Sequence, residues 1–270
     1  MRITLINPNT SRAMTDKIGR AAREVAGPDV EIAAVCPAAG RGPSAVESHV
    51  DEAYASVAVI EAIRADLARG GSDGYVIACF GDPGLDAARE LVDVPVVGIA
   101  EAAMHVAALA GRSFGIVTTL SRTLGRARDL LARYGAERAC VAAYGSGVAV
   151  LDLEDSGSAA FAEILGWCER AVDADGADTI VLGCAGMADL CHRLEARLGV
   201  PVVDGVAAAV GLVTAMARMG VGVSKRDEYA APPRRRGGGD DALVLGAPPS
   251  APDVPTSETA ATSDVDSVRT

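Results

Sequence analysis

Two stretches of this chain, DGYVIACFGDPGLDAAREL from Asp73 to Leu91 and DTIVLGCAGMADLCHRLEARL from Asp178 to Leu198, read alike, and each runs on to VPVV. Both pass from an apolar strand to a cysteine, a loop of small residues and a helix. Asp73 therefore matches Asp178 and Cys79 matches Cys184, 105 positions apart. A period of that length is one domain, not a solenoid unit. It constrains the chain to two similar lobes facing one another, an arrangement that 270 residues fill.

The rest of the sequence fits this frame. Apolar runs of strand length alternate with helical patterns: RITLINPN, a helix from about Ser11 to Ala26, VEIAAVCP, a helix near Ser48 to Arg69, and GYVIACFG. PVVGIA, the helix after Glu101, RSFGIVTT, helices from Ser121 to Tyr134 and from Ala159 to Asp175, DTIVLGCAG and VPVVDGV follow. Strand–helix alternation of this kind builds parallel sheets covered on both faces. The expected fold class is α/β, with two similar parallel-sheet lobes related by a pseudo-twofold axis and the active site in the cleft between them. Residues 1–96 plus 206–225 would form the first lobe and 97–205 the second. From 226 the texture changes to PPRRRGGGDD and APPSAPDVPTSETAATSDVDSVRT, and 226–270 is expected to be a disordered, solvated tail in which ALVLGA docks at most transiently.

Composition narrows the partners. A formal charge of -11, with no Lys/Arg stripe interleaved with aromatics, repels nucleic acid and anionic membranes. The opening MRITLINPNTS breaks at Asn-Pro before it could serve as a secretion signal, and no apolar run reaches spanning length, so a cytoplasmic protein is expected. Six scattered cysteines without a CxxC pair read as reduced thiols. Cys184, Cys191 and His192 come closest to a zinc set, but their spacing suits no common site, so no metal is expected. The two lysines, Lys17 and Lys225, are not at strand ends, which disfavours a pyridoxal Schiff base, and no GxGxxG after the first strand or GxxxxGK[ST] motif offers a phosphate cradle. No cofactor is expected.

Chemistry concentrates at the two matched cysteines. In parallel α/β sheets, ligands bind at the carboxyl ends of strands, where Cys79 and Cys184 both stand. Local N–H groups and helix dipoles there are expected to favour the thiolate. Inverting a stereocentre requires a base on one face of a planar carbanion and its acid counterpart on the other, and two thiols from mirrored halves supply them. Charge on a carbonyl oxygen of the intermediate could be met by backbone N–H groups of the loops Phe80–Gly84 and Ala185–Met187, and by Thr118, Thr119, Asn7 and Asn9. Turn formation and capping are the plainer roles for these residues: Pro8 and Gly81 shape turns, and Thr10 or Ser11 caps a helix. Cys36, Cys140, Cys168 and Cys191 read as small buried hydrophobes. His49, His105 and His192 could support a Cys/His hydrolase, though surface and capping roles explain them better, and His49 or His105 could line the cleft. Glu47, Asp82, Glu101 and Asp204 fall at element ends, where capping competes with cleft lining.

INPNTS (Ile6 to Ser11), GPSAVES (Gly42 to Ser48), ACFGDPGL (Ala78 to Leu85), VVGIAEAAM (Val96 to Met104), LGCAGMADL (Leu182 to Leu190) and DGVAAAV (Asp204 to Val210) occur in the order that resembles the aspartate/glutamate racemase superfamily, specifically its hydantoin racemase branch, which includes allantoin racemases. The resemblance spans about Met1 to Val223. It implies a cofactor-free and metal-free site between two lobes, Cys79 and Cys184 as acid and base, substrate contacts at Asn9, Ser44, Phe80, Gly81, Thr118, Thr119, Ala185 and Gly186, a small-molecule substrate of the hydantoin or allantoin type, and a homo-oligomer. The tail is its one departure. Two alternatives stay open: an aspartate or glutamate racemase, which would want a carboxylate clamp, and a non-catalytic two-lobed binding protein, which would have no use for matched thiols.

Overall fold

A computed structural model of the chain describes residues 1–154 and 158–233, in the compact unit Met1–Arg235. The first half runs β1 (Arg2–Ile6), α1 (Arg12–Ala26), β2 (Glu31–Val35), α2 (His49–Leu67), β3 (Gly74–Ile77), α3 (Leu85–Leu91), β4 (Val96–Gly98) and α4 (Ile99–Ala110). The second runs β5 (Phe114–Thr118), α5 (Leu124–Arg133), β6 (Cys140–Gly145), α6 (Ser158–Asp173), β7 (Thr179–Leu182), α7 (Cys191–Leu198), β8 (Val202–Asp204) and α8 (Gly205–Arg218). Among the described residues the strands form two four-stranded sheets of orders β2-β1-β3-β4 and β6-β5-β7-β8, parallel throughout.

The duplication extends to register. Ile6 pairs with Ile77 and Val117 with Leu182, so β1 corresponds to β5 and β3 to β7. Ile77 pairs with Gly98 and Leu182 with Asp204, which aligns β4 with β8. The matched aspartates do matched work: Asp73 accepts the N–H of Arg2 at 2.7 Å and Asp178 that of Ser113 at 3.2 Å.

Side chains alternate across each sheet, as strand geometry requires. In β1 and β3, Leu5 and Val76 join a core with α1, α4 and α8, whereas Ile6 and Ile77 face a core with α2 and α3. In β7, Val181 joins the first of these cores, whereas Ile180 and Leu182 pack under α6 and α7. The shared core of α1, α4 and α8 thus carries residues of both sheets. The Ala-rich faces of α4 and α8 bring these helices close: a Cβ on Gly205 would stand 2.8 Å from the Ile99 carbonyl oxygen.

Two elements depart from the sequence reading. β6 has no counterpart in the predicted strands; it is an edge strand with only intermediate or exposed residues, so the apolar alternation that marks the others is missing. The tail was expected to begin at 226, yet Asp227–Tyr229 forms a 3-10 turn whose Tyr229 hydroxyl donates to Asp86 at 3.0 Å beneath the guanidinium of Arg89. The expectation of disorder for 234–270 lies outside the described residues.

Candidate active site

A cavity of about 340 Å³ opens where the carboxyl ends of the central strands of both sheets converge. Asn7 and Asn9 reach it from the end of β1, Ala78 to Gly81 from β3, Thr118 and Thr119 from β5, and Gly183 to Gly186 from β7. The segment entering α2 and its first turn contribute Glu47, Ser48, His49 and Glu52, and Arg122, Thr123, Arg126 and Val150 also line the wall.

Cys79 and Cys184 both line this cavity, on turns built alike. Ala78 donates its N–H to Ile6 at 2.8 Å and Gly183 its N–H to Val117 at 2.8 Å, extending each central strand to the residue before the cysteine. Three residues later the chain folds back: Asp82 N–H donates to the Cys79 carbonyl at 2.9 Å and Met187 N–H to that of Cys184 at 3.0 Å. Each turn aims one amide at sulfur, Gly81 at Cys79 and Gly186 at Cys184.

These amides do not win. Burial pushes the Cys79 thiol up to about 12, opposed by the Gly81 N–H and reinforced by Cys184, Asp82 and Glu52. Burial pushes Cys184 up to about 11, opposed by the Gly186 N–H and the Lys17 ammonium. The sequence expectation that the local dipoles favour thiolates is therefore corrected. The dipoles are present, but taking a sulfur anion out of water costs more than two amides return.

Of the other residues named from sequence, Asn9, Phe80, Gly81, Thr118, Thr119, Ala185 and Gly186 line the cavity, whereas Ser44 is exposed and outside its lining. Ser44 follows Pro43, whose carbonyl binds Thr10 N–H at 2.9 Å, and the loop turns it to solvent. The Asn9 amide oxygen accepts from Asn7 Nδ2 at 2.8 Å and Ser11 N–H at 2.9 Å, while the Thr118 hydroxyl donates to Gly183 at 2.8 Å. His49 sits at the exposed rim; His105 and His192 are solvent-facing on α4 and α7, outside the lining. The other four cysteines lie outside it too, and of them only Cys168 is fully buried: half-buried Cys140 and Cys191 give their thiols to the carbonyls of Ala142 and Val202.

The four acids separate. Glu47 lines the cavity and accepts the Val150 N–H at 3.1 Å, and Glu101 pairs with Arg89 at 2.6 Å. Asp204 caps α8 directly, accepting from Val206 at 3.0 Å and Ala207 at 2.9 Å. Gly98, in the corresponding place, has no side chain to do this for α4. Asp82 reaches across from the Cys79 turn instead, accepting from Ala100 at 3.1 Å, Glu101 at 2.9 Å and the Tyr134 hydroxyl at 2.8 Å. Burial pushes its carboxyl up to about 6 despite these donors. A folded-state value above the unfolded one favours folding at low pH, and that contribution is lost as pH rises through about 6. Unfolding of wild type and Asp82→Asn by urea at several pH values checks this. From about pH 4 to 7 the wild type should lose about 2–3 kcal/mol relative to the variant; a constant difference would contradict it.

The model of the Asp/Glu/Hydantoin racemase family matches residues 3–213. The chain belongs to that family. This racemase shares 50% identity with the solved structure of an allantoin racemase from Klebsiella pneumoniae, covering 89% of this chain and 97% of that one with a TM-score of 0.84. It is 38% identical to the allantoin racemase from Pseudomonas fluorescens, covering 88% and 100% of the two chains, also at a TM-score of 0.84. The hydantoin racemase of Rhizobium meliloti is 42% identical over 232 residues, which are 86% of this chain and 95% of the relative. The enzyme is an isomerase, and the non-catalytic binding protein considered from sequence gives way.

Sequence reasoning missed the racemase's cavity-wall charges Glu52, Arg122 and Arg126, and the role of Lys17. The last is 8% exposed, with its ammonium hydrogen-bonded to the carbonyls of Leu153 and Gly186. Its position in the amphipathic α1 gave no sign of this; the signal available was a lone lysine among the apolar positions of that helix.

Proposed function

We propose that the enzyme interconverts the enantiomers of 5-substituted hydantoins, allantoin among them, by two-base proton transfer at C5 between Cys79 and Cys184. The observation that carries this reading is that matched turns present both sulfurs to one cavity. The thiolate of one cysteine takes the C5 proton and becomes a thiol, while the C–H electron pair moves into the adjacent carbonyl to give a planar enolate. The thiol of the other cysteine returns a proton to the opposite face and becomes the thiolate. No proton is gained or lost over the cycle, and the roles of the sulfurs are exchanged.

The cavity supports a neutral ring. Its acids Glu47 and Glu52 oppose a free carboxylate, and of its two arginines Arg126 is already engaged by Glu52 at 2.7 Å, which leaves Arg122 against the two acids. With the Asn9 oxygen held by two donors, its NH₂ end is left for a ring carbonyl. Backbone amides of the two cysteine turns are suited to the developing oxyanion.

Enantiopure hydantoins, allantoin, aspartate and glutamate, incubated in deuterium oxide and followed by polarimetry and mass spectrometry, test the proposal. Loss of rotation with one deuterium incorporated at C5 of the hydantoins is expected. Exchange confined to the α-carbon of a free amino acid would overturn the substrate assignment.

A further inference from the structure

The duplication reaches beyond the cysteines to two cations that cross between the halves. Arg126 on α5 donates to the Gly81 carbonyl from Nε at 3.1 Å and Nη2 at 2.8 Å, and Lys17 on α1 donates to the Gly186 carbonyl at 3.3 Å. Each helix directly follows the first strand of its own half, and each cation lands on the cysteine turn of the other. The carbonyl it holds belongs to the peptide unit whose N–H closes that turn onto the cysteine carbonyl, Asp82 to Cys79 and Met187 to Cys184. Both ends of this peptide plane are thereby fixed, and it joins, through the Cα of Gly81 or Gly186, the peptide whose N–H is aimed at sulfur.

The two clamps differ in charge. Arg126 is met by Glu52 at 2.7 Å, and a Cβ on Gly81 would lie 3.5 Å from that carboxylate, so the Cys79 turn faces Glu52 on one side and carries Asp82 on the other. The Cys184 turn faces the Met14 sulfur and Leu153, which a Cβ on Gly186 would meet at 2.9 Å and 3.2 Å. The cation acting on it is buried Lys17, whose partner Asp189 at 3.2 Å is half exposed, and Glu47 acts in the opposite sense.

We infer that Lys17 and Arg126 are positioning residues, each clamping the cysteine turn of the opposite half, and that their unequal surroundings make Cys184 the sulfur that gives up its proton more readily. This rests on the reading of the two cysteines as acid and base. In the form that holds one proton between the two sulfurs, Cys184 is then the acceptor of the carbon-bound proton and Cys79 the donor.

Alkylation of the substrate-free enzyme by iodoacetamide, with Cys79 and Cys184 followed separately by peptide mass spectrometry from about pH 7 to pH 10, tests the inference without requiring turnover. Wild-type Cys184 should react faster than Cys79 at every pH below the plateau. Lys17→Met should slow Cys184 by about tenfold and move its profile to higher pH, leaving Cys79 within about twofold; Lys17→Arg should restore most of the rate. Arg126→Met, which releases Glu52, should slow Cys79 selectively. A faster Cys79 in the wild type overturns the charge assignment even if neither variant folds, and equal slowing of both cysteines by Lys17→Met overturns the clamp. Failure of the racemase reading would appear instead as turnover surviving loss of either cysteine.

Discussion

Cys79→Ser and Cys184→Ser should each lower racemisation by about 10²–10⁴-fold, the range over which a positioned acid or base accelerates proton transfer, with the thermal transition kept within a few degrees of wild type. A serine hydroxyl matches the thiol closely in shape but holds its proton far more tightly, so it cannot take up the charge that each half-reaction leaves on sulfur. The loss should be one-sided in isotope exchange. With Cys184 alone intact, the enantiomer whose C5 hydrogen faces it should still exchange deuterium with retention, while its mirror image stays inert; Cys79 alone should show the opposite preference. Equal residual exchange of both enantiomers in either variant would show that the remaining sulfur reaches both faces, and the two-base scheme would fall.

How far the site could be read from sequence depended on whether a feature repeats. The cysteine turns did so visibly, because strand, cysteine, small loop and VPVV recur 105 positions apart and parallel sheets bring such loops to one edge. Ser11 as the cap of α1 and Asp204 as the cap of α8 were similarly local, each accepting hydrogen bonds from amides two or three residues on. What stayed hidden acts at long range and with different residue types. Lys17 and Arg126 occupy corresponding roles as a lysine and an arginine, on turns more than 160 and about 45 positions distant, so their equivalence emerges only once both halves are folded. β6 was illegible for the opposite reason: an edge strand half open to solvent lacks the buried face whose alternation marks a strand. Burial also outweighs the amides expected to favour the thiolates, since a sequence shows which amides flank a sulfur but not how much water reaches it.

The second large effect concerns a glycine with no catalytic atom. Gly98 corresponds in register to Asp204, yet the halves cap the following helix differently: Asp204 uses its own carboxylate, whereas Gly98 leaves room for Asp82 to enter from the Cys79 turn. A Cβ on Gly98 would stand 2.2 Å from Asp82 Cγ and 2.3 and 2.4 Å from its oxygens. The aspartate has little freedom to retreat, being short, buried and at a backbone φ of 45°. Gly98→Ala must therefore expel the carboxylate, release the α4 amides and disturb the peptide that closes on Cys79. Overpacking together with a lost cap should cost about 2–4 kcal/mol and lower the melting temperature by about 5–15 °C. Activity should fall with it through displacement of Cys79, and the double variant Asp82→Ala/Gly98→Ala should be less destabilised than the sum of its parts, because the methyl then fills vacated space. Calorimetry on the three proteins decides: strict additivity, or an unchanged melting temperature for Gly98→Ala, would show that Asp82 does not hold α4 and the cysteine turn together.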